Sequence, residues 1–86
     1  MIKQSVQDAI NEQIKEEFYS AFVYLSMSAY FESISLGGLA HWMRVQYQEE
    51  EVHALRLFDY LNERGGTVEL REIPQPPTGF NSPLQV

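Results

Sequence analysis

The sequence contains no cysteine among its 86 residues. This absence excludes a disulfide scaffold, a cysteine-ligated zinc site and an iron–sulfur cluster, and it favours a reducing, cytoplasmic location. Basic residues are scarce as well, because six Lys and Arg stand against twelve Asp and Glu, which gives a net charge of -6. No stretch is dense enough in Lys and Arg to neutralise phosphates, so we expect no nucleic-acid partner. The acidic balance instead suits cations.

Long hydrophobic runs are also missing. The longest uncharged run, from Phe18 to Phe31, has fourteen residues, which is short of the roughly 20 that a membrane-spanning helix needs. The N-terminus does not have the pattern of a signal peptide, because Asp8, Glu12 and Lys15 follow it closely. A hydrophobic fraction of 44% is nevertheless too high for a disordered chain. We therefore expect a soluble, cytoplasmic chain without a membrane partner, in which residues 1–86 belong to a single domain.

Two segments are predicted to be long helices. The first covers about residues 5–33, with Ser5 as its N-cap, and its apolar residues recur in steps of four and three. The second covers about residues 37–64 and ends at Gly65, where glycine can adopt the left-handed C-terminal conformation. Its predicted seam consists of Leu39, Met43, Gln46, Glu50, His53, Leu57 and Tyr60. The short break between the segments favours an antiparallel hairpin.

The remainder of the chain is predicted to be extended. Residues 67–82 form a Pro-rich connection, in which Pro74, Pro76 and Pro77 are incompatible with a helix interior. Ser82 before Pro83 is typical of a helix N-terminus, which predicts that a third helix starts at 82–86. A two-helix hairpin buries little apolar surface by itself. Two interpretations follow: the chain is a fragment of a longer bundle protein, or the natural product ends at this point.

Three ionisable residues occupy positions where an apolar side chain is expected, namely Glu17, Glu50 and His53. Folding the hairpin at the predicted turn brings Glu17 opposite the other two, within about 5 Å along the helix axis. Buried carboxylates need compensation, and a metal ion bound by carboxylates and one imidazole supplies it, with iron(II), manganese and zinc all suitable. Each residue alone is compatible with a solvated surface position. Their coincidence at one level of the hairpin favours a metal site.

The same residue types hold the metals of di-iron carboxylate bundles, in which two helices each supply a Glu and two others each supply Glu-x-x-His. The run from Glu50 to His53 is one Glu-x-x-His, and Glu17 is one single Glu. Tyr24 lies two turns from Glu17, either as a core residue or as a neighbour of the metal. Glu49 and Glu51, on either side of Glu50, are either solvated or part of an accessory cation site.

Three stretches make the sequence resemble a ferritin of the haem-free bacterial and archaeal type. They are NEQIKEEFYSAFVYLSM at residues 11–27, HWMRVQYQEEEVH at 41–53 and LFDYLNERGG at 57–66. The resemblance covers nearly the whole chain but only the first half of a ferritin subunit. It implies an all-α, ferritin-like four-helix bundle, of which this chain supplies the first antiparallel helix pair and a Pro-rich crossover segment.

The resemblance also implies roles for particular residues. Glu17 and His53 would ligate one iron, and Glu50 would bridge to a second. Tyr24 corresponds to the tyrosine of the ferroxidase centre, and Glu49 to a carboxylate that serves an accessory iron site. In bacterioferritins the residue after the bridging Glu is a haem-ligating Met. This sequence has Glu at position 51 instead, so the resemblance implies no haem.

The function implied by the resemblance is iron storage. Fe(II) would be oxidised by oxygen or hydrogen peroxide at a di-iron ferroxidase centre, and Fe(III) mineral would be deposited inside a cytoplasmic homo-oligomeric cage of 24 subunits. Two alternatives stay open. One is another di-iron carboxylate enzyme, such as a rubrerythrin-like peroxidase, and the other is a helical hairpin that acts only in assembly.

Overall fold

The computed structural model describes residues 2–82, which form two α-helices joined by a tight turn. Helix α1 covers Gln4–Ser33 and helix α2 covers Gly37–Glu63, and the described residues contain no strand. The first helix has Lys3 at its N-cap position without a side-chain cap, so the prediction of Ser5 as the cap is wrong. The predicted third helix lies, apart from Ser82, outside the described residues.

The two helices lie antiparallel and form an elongated body of 50 × 19 × 16 Å. Within the described range, neither helix has the length and hydropathy needed to cross a membrane. The all-α architecture predicted from the sequence is confirmed, and the fold consists of one helix pair with a connection packed along it.

The helices pack through small and apolar side chains that are seven or fourteen residues apart. The buried positions with this spacing are Ile14, Ala21 and Ser28 on α1 and Ala40, Ala54 and Leu61 on α2. Seven residues are nearly two helical turns, so each set lies along one face of its helix. Small side chains at such a contact allow the helix axes to approach closely. The Ser28 hydroxyl adds a hydrogen bond of 2.7 Å to the carbonyl oxygen of Ala40.

The contact face of α2 is displaced by one residue from the predicted seam. The prediction included Leu39 and Tyr60, yet both are exposed and the adjacent Ala40 and Leu61 are buried instead. The pair closes on the stripe of smaller side chains because that stripe lets the backbones come nearer. The stripe of larger side chains, which includes His53, is left beside the contact and not inside it.

The C-terminus of α2 is closed by glycine, as predicted. Gly65 has a φ of +76°, and its N–H donates to the carbonyl oxygen of Asn62. The N–H of Gly66 donates to the carbonyl oxygen of Leu61 at 3.0 Å. These two bonds form a Schellman motif, which satisfies carbonyl groups that the end of a helix leaves free.

The C-terminus of α1 has the same motif without glycine. The N–H of Leu36 donates to the carbonyl oxygen of Phe31 at 2.9 Å, and the left-handed residue is Ser35, with a φ of +61°. A residue with a Cβ atom is strained in this conformation by about 1–2 kcal/mol. The turn that brings α2 back along α1 therefore contains a small amount of stored strain.

The connection after α2 is fixed to α1 by Asn11, which is only 2% exposed. Its side-chain amide donates to the carbonyl oxygen of Thr67 at 3.0 Å, and its carbonyl oxygen accepts from the N–H of Glu69 at 2.9 Å. Because one side chain satisfies both a backbone donor and a backbone acceptor, Asn11 takes the place of a neighbouring strand.

Further contacts hold the connection along α1. Arg71 forms an ion pair of 2.9 Å with Glu12, and this hydrogen bond is the main reason that the pKa of Glu12 lies below its usual value. Farther along, the hydroxyl of Ser26 donates to the carbonyl oxygen of Pro77. The connection thus follows one flank of α1 for most of its length.

Replacing Ser35 by glycine should stabilise the hairpin. The substitution removes the strain of a Cβ atom at positive φ, and part of this gain is offset by the greater freedom of glycine in the unfolded chain. We expect the free energy of unfolding to rise by about 0.5–1 kcal/mol in urea denaturation. A matched change at Ser33, which is helical, should lower it, since glycine is a poor helix former.

Replacing Asn11 by alanine should release the start of the connection. The change leaves a backbone N–H and a carbonyl group without their partner, which costs about 1–3 kcal/mol. Hydrogen exchange of the Glu69 amide should accelerate in parallel with the loss of stability. Asn62→Ala, at an exposed position of α2, is the control. Equal losses in the two variants would show that Asn11 does not anchor the connection.

Candidate metal centre

The structure brings Glu17, Glu50 and His53 together beside the contact between the middle parts of the two helices. The Nδ1 atom of His53 lies 3.6 Å from Oε2 of Glu17 and 3.5 Å from Oε1 of Glu50. One potential ligand atom from each of the three residues lies within 4.8 Å of those of the other two. The folded chain therefore brings Glu17 opposite Glu50 and His53, as the position of the predicted turn indicates.

The spacing of these atoms suits a shared divalent cation. Two atoms that bind one ion at about 2.1 Å, at a tetrahedral angle, are about 3.4 Å apart. The separations of 3.5 and 3.6 Å between His53 and the two carboxylates are close to this value. They are longer than ordinary hydrogen bonds. The donor set of two carboxylates and one imidazole is suitable for iron, manganese or zinc.

The three side chains are not buried equally. The side chains of Glu17 and Glu50 are 21% and 20% exposed, whereas that of His53 is 49% exposed. The helix contact therefore shelters the carboxylates and leaves the imidazole accessible from one side. A cation held by all three groups would keep coordination positions open toward that side.

The two carboxyl groups interact strongly without a cation. The pKa of Glu50 is raised, first through its hydrogen bond with Glu17 and then through burial. The pKa of Glu17 is lowered, first because it accepts that hydrogen bond. Of the two groups, Glu50 therefore holds a proton more tightly, and Glu17 ionises more readily. A divalent cation would replace this proton and remove the repulsion between the carboxylates.

Gln13 orients Glu17 and was not predicted from the sequence. Its side-chain amide donates to Oε1 of Glu17 at 2.9 Å, one turn earlier on α1. The bond uses Oε1, whereas Oε2 is the oxygen that faces His53. The signal in the sequence was the i,i+4 spacing of the two residues, which places their side chains side by side.

The other predicted site residues lie outside this group. Tyr24 is half-buried on α1, and Glu49 is exposed on α2. Among the described residues, neither one contributes to the convergent set of three. Glu51 lines an apolar groove with Phe18 and Leu70 on another flank of the hairpin. An accessory cation site at Glu49 or Glu51 remains a prediction.

Comparison with known families and proteins identifies the same class of fold. The family model described as "Ferritin-like domain" matches residues 7–86. The bacterial non-heme ferritin of Bacteroides fragilis strain 638R is 49% identical over 86 residues, which are 100% of this chain and 54% of that protein. The bacterial non-heme ferritin of Campylobacter jejuni is 42% identical over 100% of this chain and 52% of its own length.

Solved structures give the same result. The chain superposes on an open pore ferritin from the hyperthermophilic archaeon Archaeoglobus fulgidus with a TM-score of 0.93 and 50% identity, over 98% of this chain and 52% of that one. The ferritin of Chlorobium tepidum gives a TM-score of 0.93 and 34% identity, over 99% of this chain and 52% of that one. The chain therefore spans about half the length of the relatives and structures that it matches.

Replacing Glu50 by glutamine should stabilise the metal-free chain at neutral pH. Its raised folded-state pKa means that ionising Glu50 destabilises the fold, so stability is lost as pH rises through that pKa. Glutamine is uncharged and can still donate to Glu17. We expect a higher urea midpoint than wild type at pH 7, and a difference that disappears below the pKa of the unfolded carboxyl group, about 4.3.

The control for this prediction is Glu49→Gln, which removes the same charge from the neighbouring exposed position. Chelator-treated samples of all three proteins are compared by urea denaturation at both pH values. A midpoint for Glu50→Gln that equals or falls below that of wild type at pH 7 would contradict the proposed repulsion at the centre.

Proposed function

The chain belongs to the ferritin family, and from that premise we propose that it supplies half of a di-iron ferroxidase centre in an iron-storage protein. The fold is the first helix pair of the ferritin four-helix bundle. The observation that carries the proposal is the convergence of Glu17, Glu50 and His53 within 4.8 Å of one another. Iron is the substrate and the cargo of such a protein.

Each residue of the centre has a separate role in the proposal. Glu17 and His53 bind one Fe(II), and Glu50 binds it from the other side and extends toward a second Fe(II). Gln13 holds the Glu17 carboxylate in the required orientation through its 2.9 Å hydrogen bond. In the proposal Tyr24, on the same face of α1 as Glu17, contacts the outer environment of the iron pair, and Glu49 serves an accessory iron.

The chemistry requires two irons close together. Each Fe(II) gives up one electron, so a pair of them supplies the two electrons that, with two protons, reduce oxygen to hydrogen peroxide or hydrogen peroxide to water. The side on which His53 is 49% exposed leaves room for a second Fe(II) and for its remaining ligands. Sheltered carboxylates favour Fe(III), the harder and more highly charged product.

We also propose the storage steps that follow the oxidation of iron. Fe(III) leaves the centre and is deposited as a mineral inside a homo-oligomeric cytoplasmic cage. The net charge of -6 favours the entry of cations into such an assembly. The chain spans about half the length of its relatives, so the remaining ligands of the iron pair must come from residues outside this helix pair.

Titration of Fe(II) under anaerobic conditions tests the site directly. We expect Glu50→Gln and His53→Ala to weaken Fe(II) binding by at least about tenfold, since even the loss of an outer-shell partner of a metal typically costs 10–100-fold. Asp59→Asn removes a charge from an exposed position of α2 and should leave the binding isotherm unchanged. Circular dichroism shows that each variant retains its helices.

Exposure of the loaded protein to air distinguishes storage from the alternatives. A storage protein accumulates a soluble iron core well beyond two irons per chain. A rubrerythrin-like peroxidase consumes peroxide repeatedly without storing iron. Identical Fe(II) isotherms for wild type and Glu50→Gln would contradict the proposal and support a hairpin that acts only in assembly.

A further inference from the structure

The Glu17 carboxylate faces the candidate metal centre with one of its two oxygens. Its Oε2 atom lies 3.6 Å from Nδ1 of His53. Its Oε1 atom accepts a hydrogen bond of 2.9 Å from the side-chain amide of Gln13, one turn earlier on α1. The amide N–H places the positive end of its dipole against Oε1, so it opposes the approach of a cation to that oxygen. The structure therefore leaves Oε2 as the oxygen of Glu17 that is available to a metal.

Gln13 is suited to this position because its side chain is a neutral donor. An ionised carboxylate only accepts hydrogen bonds, so the amide must present its N–H group to Glu17. A Lys or Arg side chain at this position would also donate, but its positive charge would repel a cation at the centre. Gln13 thus occupies one oxygen of Glu17 without adding charge to the site.

The second carboxylate of the centre is held differently. Gln46 stands four residues before Glu50, at the same spacing as Gln13 before Glu17. Among the described residues, however, the hydrogen bonds of Glu50 are formed with Glu17 and His53, which belong to the centre itself. Both oxygens of Glu50 are therefore left to the centre, whereas one oxygen of Glu17 is bound outside it. The two carboxylates are chemically alike, and Gln13 makes them different.

From this geometry we propose that Gln13 is a positioning residue that determines specificity: it limits Glu17 to one metal–oxygen bond and thereby selects Fe(II)-sized cations against Ca²⁺. The inference rests on the proposed function, because it takes Glu17 as a metal ligand. It adds to that function a means by which the site distinguishes cations of equal charge.

The ligand requirements of the cations explain the selection. Ca²⁺ takes about six to eight oxygen ligands and is often bound by carboxylates through both oxygens. Cations such as Fe(II) and Zn²⁺ bind fewer ligands and accept imidazole readily. A carboxylate with one free oxygen satisfies the smaller cation and leaves Ca²⁺ short of ligands. His53 already disfavours Ca²⁺, and Gln13 strengthens this preference by a separate means.

Titration of Zn²⁺ and Ca²⁺ into a Gln13→Met variant tests the proposal. Zn²⁺ stands in for Fe(II) because it is not oxidised in air. Methionine has a similar length but cannot donate, so Oε1 becomes free to bind a cation together with Oε2. The measurements are made on the assembled four-helix bundle, since residues outside this helix pair complete the site. Gln13 is exposed, so its replacement should leave the fold intact.

We expect the ratio of the Ca²⁺ dissociation constant to the Zn²⁺ dissociation constant to fall by at least about tenfold in Gln13→Met. This is the lower end of the 10–100-fold effect that is typical when a residue that orients a metal ligand is lost. Gln13→Lys retains a donor and adds a positive charge, so it should weaken the binding of both cations and keep the ratio of wild type. Equal losses of selectivity in the two variants would overturn the proposal.

The matched control is Gln4→Met. It removes an equivalent hydrogen bond, that of 2.8 Å between Gln4 and Asp8 at the exposed start of α1. Both dissociation constants should equal those of wild type. A fall in selectivity as large as that of Gln13→Met would show that the effect comes from the stability of the helix and would contradict a role of Gln13 at the centre.

Infrared spectra at saturating Ca²⁺ report how Glu17 binds. The antisymmetric and symmetric carboxylate stretching bands lie farther apart for a carboxylate bound through one oxygen than for one bound through both. In the difference between loaded and metal-free spectra, we expect this separation to narrow in Gln13→Met and to be retained in Gln13→Lys. A purely structural role of Gln13 predicts no such shift, and unchanged bands in Gln13→Met would overturn the proposal.

The outcomes also separate this inference from the proposed function. A bundle that binds neither Zn²⁺ nor Fe(II) would overturn both. If Glu50→Gln weakens Zn²⁺ binding but Gln13→Met keeps the selectivity of wild type, the metal ligands stand and only the role of Gln13 is overturned.

Discussion

Two carboxyl groups and one imidazole are held a few ångströms apart in the middle of a helix pair, and this constraint explains most of what is unusual in the sequence. Packing alone would place apolar residues at Glu17, Glu50 and His53. Without a cation, the proximity of the two carboxyl groups raises the pKa of Glu50 and lowers the pKa of Glu17, so that Glu50 holds a proton more tightly. A divalent cation would compensate more completely, because it could bind all three groups and neutralise both charges. Gln13 then fixes one carboxylate, so that the geometry exists before the cation arrives.

The packing of the hairpin determines where this centre opens. Small residues such as Ala21 and Ala54 form the contact between the helices and are fully buried. The larger side chains are consequently left on two flanks. One flank carries the candidate metal centre, and the other receives the connection and still exposes Phe22 and Leu25, at 39% and 40%. A helix pair with apolar residues on both flanks is suited to a position inside a larger assembly, which agrees with the fold of the ferritins that it matches.

Much of this arrangement was predictable from the sequence, for physical reasons. Helix periodicity, the glycine that ends α2 and the prolines of the connection are local signals, and the i,i+3 spacing of Glu50 and His53 fixes their relative position. The left-handed Ser35 was missed because residues with a Cβ atom rarely adopt that conformation. The contact face of α2 was predicted one residue away from the observed one. Periodicity shows which residues share a stripe of the helix, but it does not show which of two adjacent stripes packs better against α1. The role of Gln13 depends on a rotamer, which spacing does not specify.

Anomalous diffraction from crystals grown with Mn²⁺ shows whether one cation lies between these three side chains. Data collected at the manganese absorption edge locate the ion without reference to activity or assembly. We expect an anomalous peak at bonding distance, about 2.0–2.3 Å, from a carboxylate oxygen of Glu17, one of Glu50 and Nδ1 of His53. A peak at Glu49 or Glu51 instead, or no peak between the helices at saturating Mn²⁺, would contradict a cation site at Glu17, Glu50 and His53.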